Sequence, residues 1–217
     1  MSEIYDLDDP ARRSEGFAAA KLALSGSGLV VVPTDTVYGV AADAFDPAGV
    51  RRLLRAKGRG RSKPAPVLIG SSDTLRALGT HLTPELRTLA EVFWPGALTL
   101  ICRQQPSLRW DLGDGRSTVA LRMPDHKDTL ALLTDNGPLA VSSANLTGEL
   151  PATTVADAEE QLGDAIDVYL DGGETAGATA STIVDGTGDD LVLVREGAIT
   201  LEQLREHVPS LEVAETD

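Results

Sequence analysis

Seven basic side chains and no acidic one lie between Arg51 and Lys63: Arg51, Arg52, Arg55, Lys57, Arg59, Arg61 and Lys63. The chain has only 19 Lys plus Arg against 33 Asp plus Glu, so this is a strong local concentration. The last four fall among Gly58, Gly60 and Pro64. Cations on a glycine-rich loop can converge on one polyanion, because the backbone approaches closely and Arg offers a bidentate fork. The same run could be a solvated helix face, which is the commoner meaning of such a pattern, or an RNA-binding patch.

Hydroxyl-bearing segments follow apolar runs at several points. Pro33-Thr-Asp-Thr-Val-Tyr-Gly39 follows Leu29-Val-Val-Val32, and Leu139-Ala-Val runs into Ser142, Ser143 and Asn145. Small polar groups at the carboxyl end of a strand sit where open α/β sheets bind ligands. Tyr38 could wall a pocket and Gly39 would let backbone pass close, although an ordinary turn with an Asx cap at Asp35 fits too. Neither serine has a neighbouring His or Lys in sequence to activate it, which points to recognition rather than covalent catalysis. Asp171-Gly-Gly173, Ser181-Thr-Ile-Val-Asp185 and Val192-Leu-Val-Arg195 repeat the pattern. Together they suggest a site for a polar small molecule and a polyphosphate.

Those residues need a framework. Of 217 residues 42% are hydrophobic and 4% aromatic, so aliphatic side chains must form the core. Helices are expected over 14–25, from Asp46-Pro47 to Gly58, from Thr83-Pro84, and over 126–134, 154–162 and 200–207. Strands are expected at 29–32, 67–69, 97–102, 118–122, 139–142, 167–170, 182–184 and 191–195. Alternation of this kind predicts a single α/β domain over 1–217, with helices covering a largely buried mixed sheet. Only the first few residues and the acidic tail from about Leu211 read as dispensable.

A net charge of −14 disfavours non-specific binding to nucleic acid or anionic membrane. The lone Cys102 excludes an internal disulfide, and His81, His126 and His207 make no zinc-binding spacing. No P-loop, dinucleotide fingerprint or G-x-S-x-G elbow is present. With no apolar leader or run of about 20 apolar residues, a cytoplasmic protein is expected.

Six ordered segments carry a resemblance: P-T-D-T-V-Y-G at 33–39, K-x-R with a nearby proline at 57–64, W-P-G-x-L-T-L at 94–100, V-A-L-R-M-P at 119–124, S-A-N-x-T-G at 143–148 and S-T-I-V-D at 181–185. Over about residues 14–207 the chain resembles the YrdC-like threonylcarbamoyl-AMP synthases. The resemblance implies a twisted, open mixed sheet flanked by helices around a concave ligand pocket. It implies condensation of L-threonine, bicarbonate and ATP to threonylcarbamoyl-AMP and pyrophosphate, with phosphate-bound Mg²⁺ and no protein metal cage. A separate transferase complex would then modify tRNA beside the anticodon, with at most weak tRNA contact here.

Carried over by motif, Thr36, Arg122, Ser143 and Ser181 would bind threonine. Lys57 and Arg59 would act on the ATP phosphates, and Lys63, Thr118, Asn145, Thr153 and Arg195 would complete the ATP site. The chain departs from the family pattern at Gly60, Leu68, Ser142 and Glu196, and it resembles the short form without an appended domain. An RNA-binding module of the same fold, or a paralogue using another small carboxylate, would share much of this pattern.

Overall fold

The computed structural model describes residues 3–115, 117–177 and 179–214. In chain order the elements are β1 (Glu3–Asp6), α1 (Pro10–Ser25), β2 (Val30–Val32), β3 (Gly39–Asp43), α2 (Pro47–Ala56), β4 (Val67–Leu68), α3 (Asp73–Leu78), β5 (Gly79–Thr80), α4 (Pro84–Phe93), β6 (Leu98–Gln104) and β7 (Thr118–Arg122). There follow α5 (Lys127–Asn136), β8 (Leu139–Ser143), α6 (Val155–Leu162), β9 (Val168–Asp171), β10 (Thr182–Asp185), β11 (Val192–Arg195), α7 (Leu201–His207) and β12 (Glu212–Val213). Among the described residues no helix is long and apolar enough to cross a membrane.

Helix starts follow local chemistry. Asp9, Asp46 and Thr83 each stand before a proline and accept backbone N–H bonds from the first turn. Thr154 with Asp157, and Thr200 with Gln203, form reciprocal capping boxes.

All strands join one open, mixed sheet in the order β1-β9-β2-β3-β8-β4-β7-β6-β10-β11-β12, with β5 paired to β6. Parts of both segments read as dispensable pair into the sheet. Residues Glu3–Asp6 pair in parallel with Val168–Asp171, and Glu212–Val213 pair with Val192–Leu193. Residues 215–217 of the expected acidic tail lie outside the described residues. Residues 39–43, not among the expected strands, form the strand that joins β2 to β8.

The two sheet faces are covered unequally. One face packs Val40, Val67, Leu100, Leu121 and Val184 against α2, α4 and α6 through Leu53, Leu86, Leu89 and Ala158. On the other face α1 and α5 cover β9, β2, β3, β8 and β4 through Ala20, Leu24, Leu132 and Leu133. That cover stops near Leu68. Beyond it, the same face of β7, β6 and β10 is lined by Thr118, Ala120, Arg122, Thr99, Ile101 and Ile183, and it floors a cavity.

Candidate active site

The cavity encloses about 430 Å³, within the usual range for small-molecule sites. Arg59, Arg122 and Arg195 line it, and among the described residues no Asp or Glu does. For a chain of net charge −14 this local sign reversal is the main electrostatic feature of the site.

Arg122 lies in the middle of the floor. Its Nε donates to the Gly96 carbonyl at 3.0 Å, Nη1 to Thr36 Oγ1 at 2.9 Å and Nη2 to Asp35 Oδ1 at 2.6 Å. Guanidinium carries five N–H donors, so two remain for a ligand. Burial pulls its pKa down and Asp35 opposes that shift, while the charge stays. Asp35 also accepts the Asp125 amide at 3.0 Å, so it is a counter-ion across the fold rather than an Asx cap of its own loop. Thr34 makes the local turn instead, donating to the Val37 carbonyl at 2.6 Å. That hydroxyl has one proton, so in the Thr34–Thr36 contact at 3.0 Å Thr36 is the donor.

Strand pairing sets the neighbours. Leu68 pairs with Arg122 across β4 and β7, placing an aliphatic wall beside the guanidinium. Gly39 pairs with Ser143, and a Cβ on Gly39 would lie 2.6 Å from Val141 Cγ1, so glycine keeps this part of the floor flat. At the far side Ser181 Oγ and Thr99 Oγ1 are 2.8 Å apart, and Arg195 donates to the Ser181 carbonyl at 2.6 Å.

The basic stretch divides. Arg59 is folded over its own loop, donating to the Lys63 and Pro64 carbonyls at 2.8 and 3.1 Å and to Ser142 Oγ at 3.0 Å, and it faces the cavity. Arg52 pairs with Asp167, and Arg61 with Asp111 and Asp114. Lys57 turns inward and is 3% exposed. Its ammonium donates to the Ser143 carbonyl and, at 2.5 Å, to the Asn145 carbonyl, with Asn145 Oδ1 at 3.4 Å. Its own carbonyl accepts the Thr147 amide and hydroxyl at 3.1 and 2.8 Å. Burial and the nearby Arg59 push the Lys57 pKa down to about 8. Phe45 and Trp110 stack at 5.3 Å, but on each other.

Of the residues singled out in sequence, Thr36, Arg59, Thr118, Arg122, Ser143, Ser181 and Arg195 line one cavity. Lys57 and Asn145 lie behind its wall. Lys63 is exposed outside the lining, and Thr153 Oγ1 donates to Asp157 Oδ2 at 3.3 Å at the start of α6. Sequence reasoning passed over Asp35 as a partner of Arg122, and Thr34 and Thr99 as lining residues, although all three stand inside the quoted motifs.

The cavity thus joins a floor of strand ends, three guanidiniums and several hydroxyls, with no Asp or Glu in its lining among the described residues. A family model described as "Telomere recombination", covering Sua5, YciO and YrdC, matches residues 23–197. A putative threonylcarbamoyl-AMP synthase from Mycobacterium leprae is 49% identical over 206 residues, 95% of this chain and 94% of that protein. The threonylcarbamoyl-AMP synthase of Bacillus subtilis is 37% identical, over 91% of this chain and 58% of that one. The crystal structure of Pyrococcus abyssi Sua5 complexed with L-threonine superposes with a TM-score of 0.92 at 32% identity, over 98% of this chain; this chain spans 63% of that protein. The chain belongs to the Sua5/YciO/YrdC family.

Proposed function

We propose that this chain is a threonylcarbamoyl-AMP synthase, condensing L-threonine, bicarbonate and ATP with release of pyrophosphate. The observation that carries the reading is Arg122, held against Thr36 and Asp35 with two donors left over, in a cavity that also contains Arg59 and Arg195 and, among the described residues, no lining carboxylate. Similarity to Sua5 with L-threonine bound supports the same reading.

Threonine places its carboxylate on the remaining donors of Arg122, with Thr36, Ser143 and Ser181 around its polar groups. Arg59, Thr118 and Arg195 face ATP from the cavity wall, and Lys63 meets its outer phosphates from the loop. Lys57 and Asn145 act on ATP by holding loop 143–147. A direct phosphate contact would require the Lys57 ammonium to leave two carbonyls. Thr153 supports the same side through the start of α6.

Threonine carbamate attacks the α-phosphorus and pyrophosphate leaves, so the protein's task is to orient reactants and neutralise charge. Asp35 is engaged by Arg122 and the Asp125 amide, and among the described residues no group of three His, Cys, Asp or Glu could cage a metal. That donor set fits Mg²⁺ entering with the triphosphate. A cytoplasmic location and a downstream tRNA-modifying transferase complex complete the proposal, with tRNA touching this chain weakly if at all. Pyrophosphate release measured with threonine and bicarbonate omitted in turn tests it. Release that needs both supports the synthase, and release that needs neither refutes it.

A further inference from the structure

The cavity wall that carries Arg59 is built from two stretches without regular structure, residues 57–66 between α2 and β4 and residues 111–115 between β6 and β7. Arg59, Pro64, Ala65 and Leu112 face the cavity, whereas Arg61, Asp111 and Asp114 lie outside its lining with side chains 35 to 61% exposed. Gly58 and Gly60 give the first stretch little stiffness of its own. Four cations within seven residues, Lys57, Arg59, Arg61 and Lys63, also repel one another. Arg59 Nε and Nη2 nevertheless rest on the Lys63 and Pro64 carbonyls. The aim of this guanidinium is therefore only as definite as the backbone of residues 61–64.

That backbone is fastened to the second stretch. The Asp114 amide donates to the Arg61 carbonyl at 2.8 Å, and the Ala65 amide to the Leu112 carbonyl at 3.0 Å. Gly113 has a φ of +125°, and a Cβ there would lie 2.7 Å from the Arg61 carbonyl oxygen, so glycine permits this approach. Arg61 closes the join from outside. Its Nη1 and Nη2 donate to the two oxygens of Asp111 at 3.2 and 2.6 Å, and its Nε donates to Asp114 at 3.0 Å. A lone exposed ion pair contributes little, but a bidentate fork shared between two carboxylates is the arrangement in which exposed pairs count. The same fork holds the Asp111 carboxyl below the ordinary carboxylate range.

We infer that residues 111–114 clamp the basic loop, and that Arg61, Asp111 and Asp114 are positioning residues that keep Arg59 aimed into the cavity for a polyphosphate. They act through the loop and not on the ligand. The sign of the effect separates this role from simple charge. Two carboxylates beside an anion site weaken binding by their field, so neutralising them would by charge alone tighten it. Loss of a clamp weakens it.

This inference rests on the synthase reading, and the experiment separates the two. Pyrophosphate release is measured for the wild type and for Asp111→Asn with Asp114→Asn, a change that keeps shape and removes charge, while each substrate is varied in turn. The double variant should raise the KM for ATP about fivefold, leaving those for threonine and bicarbonate within about twofold. Trypsin cutting after Arg59 and Arg61, followed by mass spectrometry, should also be about fivefold faster in the double variant, because the loop opens more often. A lower or unchanged KM for ATP, a rise shared equally with threonine, or equal rates of cutting overturns the inference. Should the double variant fail to fold by thermal melt, Asp111→Asn alone is read in the same way. A wild type that releases no pyrophosphate with all three substrates refutes the synthase reading itself and takes this inference with it.

Discussion

Arg122 and Asp35 meet at 2.6 Å with side chains 8% and 17% exposed, and the same guanidinium holds Thr36 and the Gly96 carbonyl. One side chain thus ties together the loop after β2, the turn before β6 and the end of β7. Removing one member of a largely buried pair leaves the other uncompensated, at a cost of about 3 kcal/mol or more. Arg122→Met should therefore lose stability on that scale in urea unfolding as well as losing activity. Arg122→Lys keeps the charge but not the planar fork, so it should remain folded while its KM for threonine rises at least about tenfold.

Lys57 supplies a pH test. In the unfolded chain its amine keeps its proton to about 10.5, but in the fold only to about 8. Between those values the unfolded state binds more protons, so this residue makes stability rise with pH across that window. The full effect is roughly 3 kcal/mol. Unfolding free energies of wild type and Lys57→Met, compared at pH 7.5 to 10.5, should converge or cross by an amount of that order. A constant difference would show that the ammonium is not destabilised by burial.

Valine has nearly the shape of threonine but no hydroxyl. If Thr36, Ser143 and their neighbours bind that hydroxyl, valine leaves them unpaired and should be used about a hundredfold less efficiently. Comparable pyrophosphate release with valine would mean that the pocket holds only the amino and carboxyl groups.

Gly39→Ala would bring a methyl to 2.6 Å from Val141 on the cavity floor. Overpacking of this kind costs about 1–3 kcal/mol. Thermal denaturation should show the loss, and shortening the opposing side chain as well, in Gly39→Ala with Val141→Ala, should recover part of it.

Much of the framework was legible because its signals are local. Asp46-Pro47 and Thr83-Pro84 start helices where expected, but Asp9-Pro10 carries the same signal and starts α1 four residues before the expected start at residue 14. Strand β3 was missed because Gly-Val-Ala-Ala-Asp has little strand propensity of its own; it is extended because β2 and β8 pair with it on both sides. Strand β1 depends in the same way on β9, more than 160 residues along the chain. In the site, hydroxyls at strand ends announced themselves. The partnership of Asp35 with Arg122 did not, nor did the inward turn of Lys57, because their partners lie 86 to 88 residues away.

Four of the seven basic residues between Arg51 and Lys63 are engaged internally, which bears on how a polyphosphate arrives. Lys57 is buried, Arg52 and Arg61 are paired with carboxylates, and Arg59 is folded over its own loop. At long range an incoming polyphosphate therefore meets the field of a chain carrying −14, and it finds the cavity arginines only on close approach. That field extends about 30 Å at 0.01 M ionic strength and about 8 Å at 0.15 M. Added salt should thus speed the association of ATP with this protein up to physiological strength, the reverse of ordinary electrostatic steering, and slow it only once the short-range contacts are themselves screened.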